Sequence, residues 1–201
     1  MRRLFALLLL VSAAFAQTPA ANNYVPDKNH STIGFEIDIL NKMSRVTGKF
    51  TAFDADLTYD PADPTKATLS VHIKCDSINT GIDDRDKDLR SASFFDCEKN
   101  PELTFTSKEI KKNGVALDVT GDFTMHGVTK QITLKVTPTG QIPFGKDNKG
   151  TEYGFTGTVS LNRTDYGMNW KHNALPNFVG DNVDVRLFFL FKPKPAPKPA
   201  S

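Results

Sequence analysis

The chain has 201 residues and a mass of 22.2 kDa, enough for one domain around one core, and its 39% hydrophobic and 24% charged content excludes both a disordered chain and a polytopic membrane protein. With Arg2 and Arg3 assigned to a leader and Lys192, Lys194 and Lys198 to a tail, the 25 bases fall to 20 against 23 acids. A slightly acidic body with no Lys/Arg cluster interleaved with aromatics argues against nucleic acid as a partner.

In chain order, Arg2 and Arg3 precede an apolar run from Leu4 to Val11, and Ala14-Phe15-Ala16 supplies a small-x-small cleavage site. That pattern predicts a signal peptide at residues 1–16 and a periplasmic or secreted protein. Residues 17–22 read as a polar spacer, 23–191 as the folded domain, and 192–201 as a disordered Pro/Lys-rich tail.

Within the domain, apolar residues recur at every second position, the period of half-buried strands. Residues 33–39 carry Ile33, Phe35, Ile37 and Ile39; residues 67–73 carry Ala67, Leu69, Val71 and Ile73; residues 115–125 carry Val115, Leu117, Val119, Phe123 and Met125. The alternation returns at 128–136, 153–161 and 183–191. In 46–59 it slips by one position near Thr51 and Ala52, which predicts a bulge or bend. An eighth strand at 103–110 leads to Asn113-Gly114, a hairpin signal, and a second tight reversal is expected at His126-Gly127. Residues 80–96 break the alternation and predict one or two short helical turns.

Eight antiparallel strands with one apolar face each must close or stack, and closure removes exposed edges, so an all-β eight-stranded antiparallel barrel is expected. Inward phase places Phe35, Phe50, Phe53, Phe105, Phe123, Phe155 and Phe189 among the small residues Gly48, Ala55, Ala67, Gly121 and Gly157. Small inward residues suit a tunnel for an alkyl chain, whereas glycines that serve bends would leave the interior packed; the sequence leaves both open.

No nucleophile elbow, phosphate-binding loop, dinucleotide fingerprint or helical zinc motif occurs, and the four histidines lack metal-site spacing. Asp84, Asp86 and Asp88 imitate the start of a calcium loop, but Leu89 and Phe95 stand where that loop needs glycine and glutamate. Neither a catalytic set nor a cofactor or metal is therefore expected. Cys75 and Cys97 either pair in an oxidising compartment or remain two separate thiols.

The chain resembles the YceI-like family of lipid- or polyisoprenoid-binding proteins. The resemblance is carried by residues 27–35 (D-K-N-H-S-T-I-G-F), 46–50 (V-T-G-K-F), 77–81 (S-I-N-T-G), 101–107 (P-E-L-T-F-T-S), 161–168 (L-N-R-T-D-Y-G-M) and 179–183 (V-G-D-N-V). It implies an extended, lipocalin-like antiparallel barrel whose tunnel holds a long isoprenoid or acyl chain. Family members often carry histidine where Ile39 and Asp88 stand here, which implies a different headgroup.

The residues expected against such a chain are Phe35, Ile37, Ile39, Phe50, Phe53, Leu57, Leu69, Val71 and Ile73, then Leu89, Phe94 and Phe95, then Phe105, Leu117, Val119, Phe123, Phe155, Val159, Val185, Leu187 and Phe189. Residues 82–95 are expected either as a lid or mouth or as a structural plug that seals one barrel end. The function expected is sequestration or transport of a long-chain isoprenoid or acyl lipid. An enzyme acting on such a lipid and a solid-barrel stress-response interaction protein are the alternatives. Transient membrane contact and a homodimer are both compatible with the sequence.

Overall fold

The computed structural model describes residues 22–146 and 150–195. The expected signal peptide, the spacer before Asn22 and the tail after Pro195 lie outside the described residues.

The fold is an eight-stranded antiparallel closed barrel with one short helix. Its first wall strand is broken into β1 (Asn22–Pro26) and β2 (Thr32–Ile39), and its second is bent into β3 (Ser44–Phe50) and β4 (Phe53–Tyr59). The bend falls at Thr51 and Ala52, where the apolar phase slips: Val46 and Phe50 are buried from β3, then Phe53, Ala55, Leu57 and Tyr59 from β4. The wall continues through β5 (Thr68–Lys74) and, after the two-residue β6 (Ile78–Asn79) and α1 (Asp83–Arg90), through β7 (Glu102–Asn113), β8 (Ala116–Met125), β9 (Val128–Phe144), β10 (Gly150–Asn162) and β11 (Val179–Pro193).

Closure is made by β11. Its first part pairs with β2, from Val179 opposite Ile39 to Phe188 opposite Thr32, and its last residues pair with β1, from Phe191 opposite Pro26 to Pro193 opposite Tyr24. β1 then pairs with β4, which closes the ring, while β3 meets only the two-residue β6 on its other side, at Lys49 and Phe50. Lys192 and Pro193 are therefore wall residues rather than the start of a tail, because β1 offers them an edge.

The two expected hairpins are present. His126 and Gly127 both have positive φ, 51° and 73°, and close the pair Met125–Val128, the twist a two-residue hairpin needs. At the other, Asn113 pairs with Ala116, so the loop residues are Gly114 and Val115. Val115 is thus 88% exposed in a turn and does not belong to the inward set.

β9 and β10 extend well past the expected 136 and 153. Residues 137–144 pair with β10 on one side only, and most are exposed, so no buried face imprints an alternation on them. Pro138 and Pro143 fit this overhang, where a missing N–H is tolerated.

Cys75 and Cys97 form a disulfide with a Cα–Cα distance of 5.4 Å. It ties the chain just after α1 to the end of β5.

Candidate ligand-binding cavity

Inward side chains from every wall strand surround a cavity of about 640 Å³. One end is sealed by rings packed edge to face: Tyr153 against Tyr24 and Tyr59 at 5.3 and 5.1 Å, and Tyr59 against Phe155 at 5.2 Å. Phe191 stacks on Phe189 at 5.2 Å beside them. The other end carries the opening, because the exposed residues lining the cavity, Asp88, Ser91 and Ser93, all belong to α1 and the segment after it. Trp170 and Phe178, from the irregular stretch before β11, face Phe94 across this mouth, with Trp170 5.3 Å from Phe94.

The interior is hollow, and partial burial records it. Ile37, Ile39, Val159, Val183, Val185 and Leu187 all line the cavity, yet each is only half-buried although its side chain points inward. A packed core would cover them.

Of the residues expected to contact a chain, the structure places Phe35, Ile37, Ile39, Phe50, Leu57, Leu69, Val71, Ile73, Leu89, Phe94, Phe95, Phe105, Leu117, Val119, Phe123, Phe155, Val159, Val185, Leu187 and Phe189 on the cavity wall. Phe53 does not reach it. Its ring lies 5.7 Å from Phe189 and is buried in the wall behind that ring.

The inference from small inward residues needs correction. A Cβ on Gly48 would lie 2.3 Å from the Phe35 ring, and one on Gly121 would lie 2.3 Å from the Thr106 carbonyl and 2.7 Å from the Phe105 ring. Those two glycines receive neighbouring phenyl rings and add no empty volume. Gly121 also sits opposite a bulge in β7 between Ser107 and Glu109, where the strands approach closely. Gly157 and Ala67 do line the hollow.

Several lining residues escaped the expected set. Ile132, Leu134, Val136, Leu161, Val183 and Phe191 share the inward phase of their strands and could have been added by extending it. Trp170, Phe178, Met168 and Arg163 lie in or beside irregular chain between β10 and β11, where no periodicity marks them.

The polar side chains near the mouth are mostly held by the fold. Arg163, 4% exposed, donates from Nε to the Gly180 carbonyl at 2.8 Å, from Nη2 to Asp181 Oδ1 at 3.1 Å, and also to the carbonyls of Met168 and Val179. Burial pushes its pKa below the usual value and Asp181 opposes that shift. Arg163 thereby pins the chain after β10 to the start of β11. Asp86, also buried, accepts from the Thr80 amide at 2.8 Å and hydroxyl at 2.6 Å, and Arg85 donates to the same hydroxyl at 2.7 Å. This knot sets the approach to α1. Asp88, Ser91 and Ser93 stand exposed at the rim beside Arg85, with the Ser91 hydroxyl donating to the Asp88 carbonyl at 2.6 Å and accepting from the Ser93 amide at 3.3 Å. Ile39 and Asp88, where the resemblance expects histidines, both line the cavity.

Comparison with known proteins agrees with this geometry. Solved structures similar to this one include Burkholderia cenocepacia BcnA, with TM-score 0.71 and 21% identity over 82% of this chain and 98% of that one. The Campylobacter jejuni YCEI protein aligns with TM-score 0.68 and 29% identity over 76% of this chain and 88% of that one. A polyisoprenoid binding domain from Saccharophagus degradans aligns with TM-score 0.64 and 16% identity, covering 87% of this chain and 99% of that domain. Among sequences, a UPF0312 protein of Pseudomonas aeruginosa strain LESB58 is 38% identical over 173 residues, which span 84% of this chain and 88% of the relative. A UPF0312 protein of Pseudomonas putida strain GB-1 is 39% identical over the same length. The YceI-like domain matches residues 24–191, from within β1 to within β11, and the chain therefore belongs to the YceI-like family.

Proposed function

We propose that this protein sequesters or carries one long-chain isoprenoid or acyl lipid, tail inward, in its barrel. The cavity of about 640 Å³ carries the reading, because its wall is predominantly apolar, closed by rings at its aromatic end, and has its charged side chains, Arg85, Asp88 and Arg163, gathered at the mouth. A chain with one polar end fits that gradient in one orientation. At ~0.8 kcal/mol per buried methylene, ten enclosed carbons contribute roughly 8 kcal/mol before the costs of ordering the chain and restricting its motion. Longer tails should therefore bind more tightly and leave more slowly, until the aromatic end stops them. The similarity to a polyisoprenoid binding domain supports an isoprenoid as the tail, and the leader-like first 16 residues support a site of action outside the cytoplasm.

The reading is a binding role without turnover. Organic extraction of the purified protein, followed by mass spectrometry, should release a long-chain lipid at up to one per chain. An empty extract, together with failure to take up dispersed long-chain alcohols or fatty acids, would refute it. Conversion of the extracted lipid on prolonged incubation with the protein would replace the carrier by an enzyme.

A further inference from the structure

We infer that the rim of the mouth is a docking surface for a lipid bilayer, through which a chain passes between membrane and cavity without crossing water. The inference rests on the cavity holding a lipid tail and adds where that tail enters.

Four large apolar side chains are exposed at this end of the barrel among the described residues: Leu40 at 39%, Met43 at 85%, Leu175 at 49% and, at the entry to α1, Ile82 at 52%. The first three belong to one structural unit. The β2–β3 turn is bonded to the segment carrying Leu175, with Leu40 N–H donating to the Phe178 carbonyl at 2.8 Å and Asn41 N–H to the Asn177 carbonyl at 3.1 Å. Phe178 itself lines the cavity, as do Ile39 and Val179 immediately beside the turn. An apolar track thus runs from exposed rim to interior.

The backbone fixes the form of this turn. Leu40, Asn41 and Lys42 have φ of 52°, 53° and 69°, three successive non-glycine residues in the left-handed region. Positive φ at Asn41 and Lys42 is the twist a hairpin turn takes, and Met43 N–H closes it by donating to the Leu40 carbonyl at 3.1 Å. The turn holds Met43, an apolar side chain, out in solvent.

Charge does not select the partner. The exposed Lys42, Lys87 and Lys171 at this end are matched by the exposed Asp83, Asp84 and Asp88. Docking by apolar contact on a near-neutral rim fits a zwitterionic bilayer and should depend little on salt.

The test is the transfer of a polyene fatty acid from phosphatidylcholine vesicles to the full-length protein, followed by energy transfer from Trp170, the single tryptophan, which lines the mouth. With the wild type the rate should rise with vesicle concentration, as collisional pick-up requires. The double variant Met43→Ser/Leu175→Ser should transfer about tenfold more slowly, because its rim has less apolar surface to bury in the bilayer. It should bind the same fatty acid from aqueous dispersion with unchanged affinity. Val115→Ser, at the opposite end, should behave as wild type in both assays.

Unchanged transfer in the double variant, or a rate independent of vesicle concentration, would overturn the rim as entry surface while leaving the cavity reading intact. Failure of the wild type to bind dispersed fatty acids or long-chain alcohols, together with an empty organic extract, would overturn the cavity reading and this inference with it. A concentration-dependent dimer that the double substitution dissolves would assign the rim to a second copy of the chain instead.

Discussion

Val185→Trp separates a hollow barrel from a packed one. Val185 lies midway along β11, opposite Phe35 of β2 and Val159 of β10, and all three line the cavity. Val185 is only half-buried, so an indole there can extend into existing space. In a filled core the same change costs about 1–3 kcal/mol through displaced side chains. In this barrel the ligand-free protein should lose well under that amount, while bound lipid loses the room taken by the ring. If about four methylenes are displaced at ~0.8 kcal/mol each, the affinity for a long chain falls by roughly 3 kcal/mol, about a hundredfold. A short chain that stays on the mouth side of the block should bind nearly as before. The assay pairs denaturant unfolding of lipid-free protein with affinities across a series of fatty acids of increasing length. A large stability loss with no lipid bound, or an affinity for long chains equal to that of the wild type, would refute a tail lying along β11.

Reducing Cys75–Cys97, or replacing both residues by serine, should lower stability by about 3 kcal/mol through the freed loop and should speed lipid release, since Cys97 follows directly on the mouth segment; identical unfolding and release with and without reductant would show that the bridge tethers nothing. Alanine at Gly121 should destabilise more than alanine at Gly48, because the first would strike the Thr106 carbonyl and the second the tip of the Phe35 ring, which can turn into the cavity; chemical denaturation giving the reverse order would contradict the packing described. Burial raises the pKa of Tyr59 and Tyr166 above the usual 10.0, so the fold keeps protons that the unfolded chain has already released. Their contribution is complete below about pH 10 and is lost as pH rises through the elevated values. Thermal melts between pH 8 and 11 should therefore decline above pH 10, less steeply in Tyr59→Phe, and a flat profile would count against neutral buried phenols.

Strands with one buried face write that burial into every second residue, which is why β2, β5, β8 and most of the wall were legible along the chain. So was the bend at Thr51 and Ala52, since a bulge shifts the alternation by one position. The overhang of β9 carries no such record, because residues 138–144 are exposed and no buried face imprints an alternation on them. The mouth residues Trp170 and Phe178 were equally silent, lying in irregular chain whose neighbours come from α1 and β2, far off in sequence.

By itself, then, the order of residues determined the strand count and, Val115 apart, the side the wall residues present, because those follow from a local period of two, while the short turns between strands fixed the sense of their pairing. Whether the enclosed space is empty was decided only when the strands converged. Gly48 and Gly121, which promised room, accommodate rings from β2 and β7, while the actual void lies between large side chains that stop short of one another across the barrel. Volume is a property of all eight strands together, and no single segment encodes it.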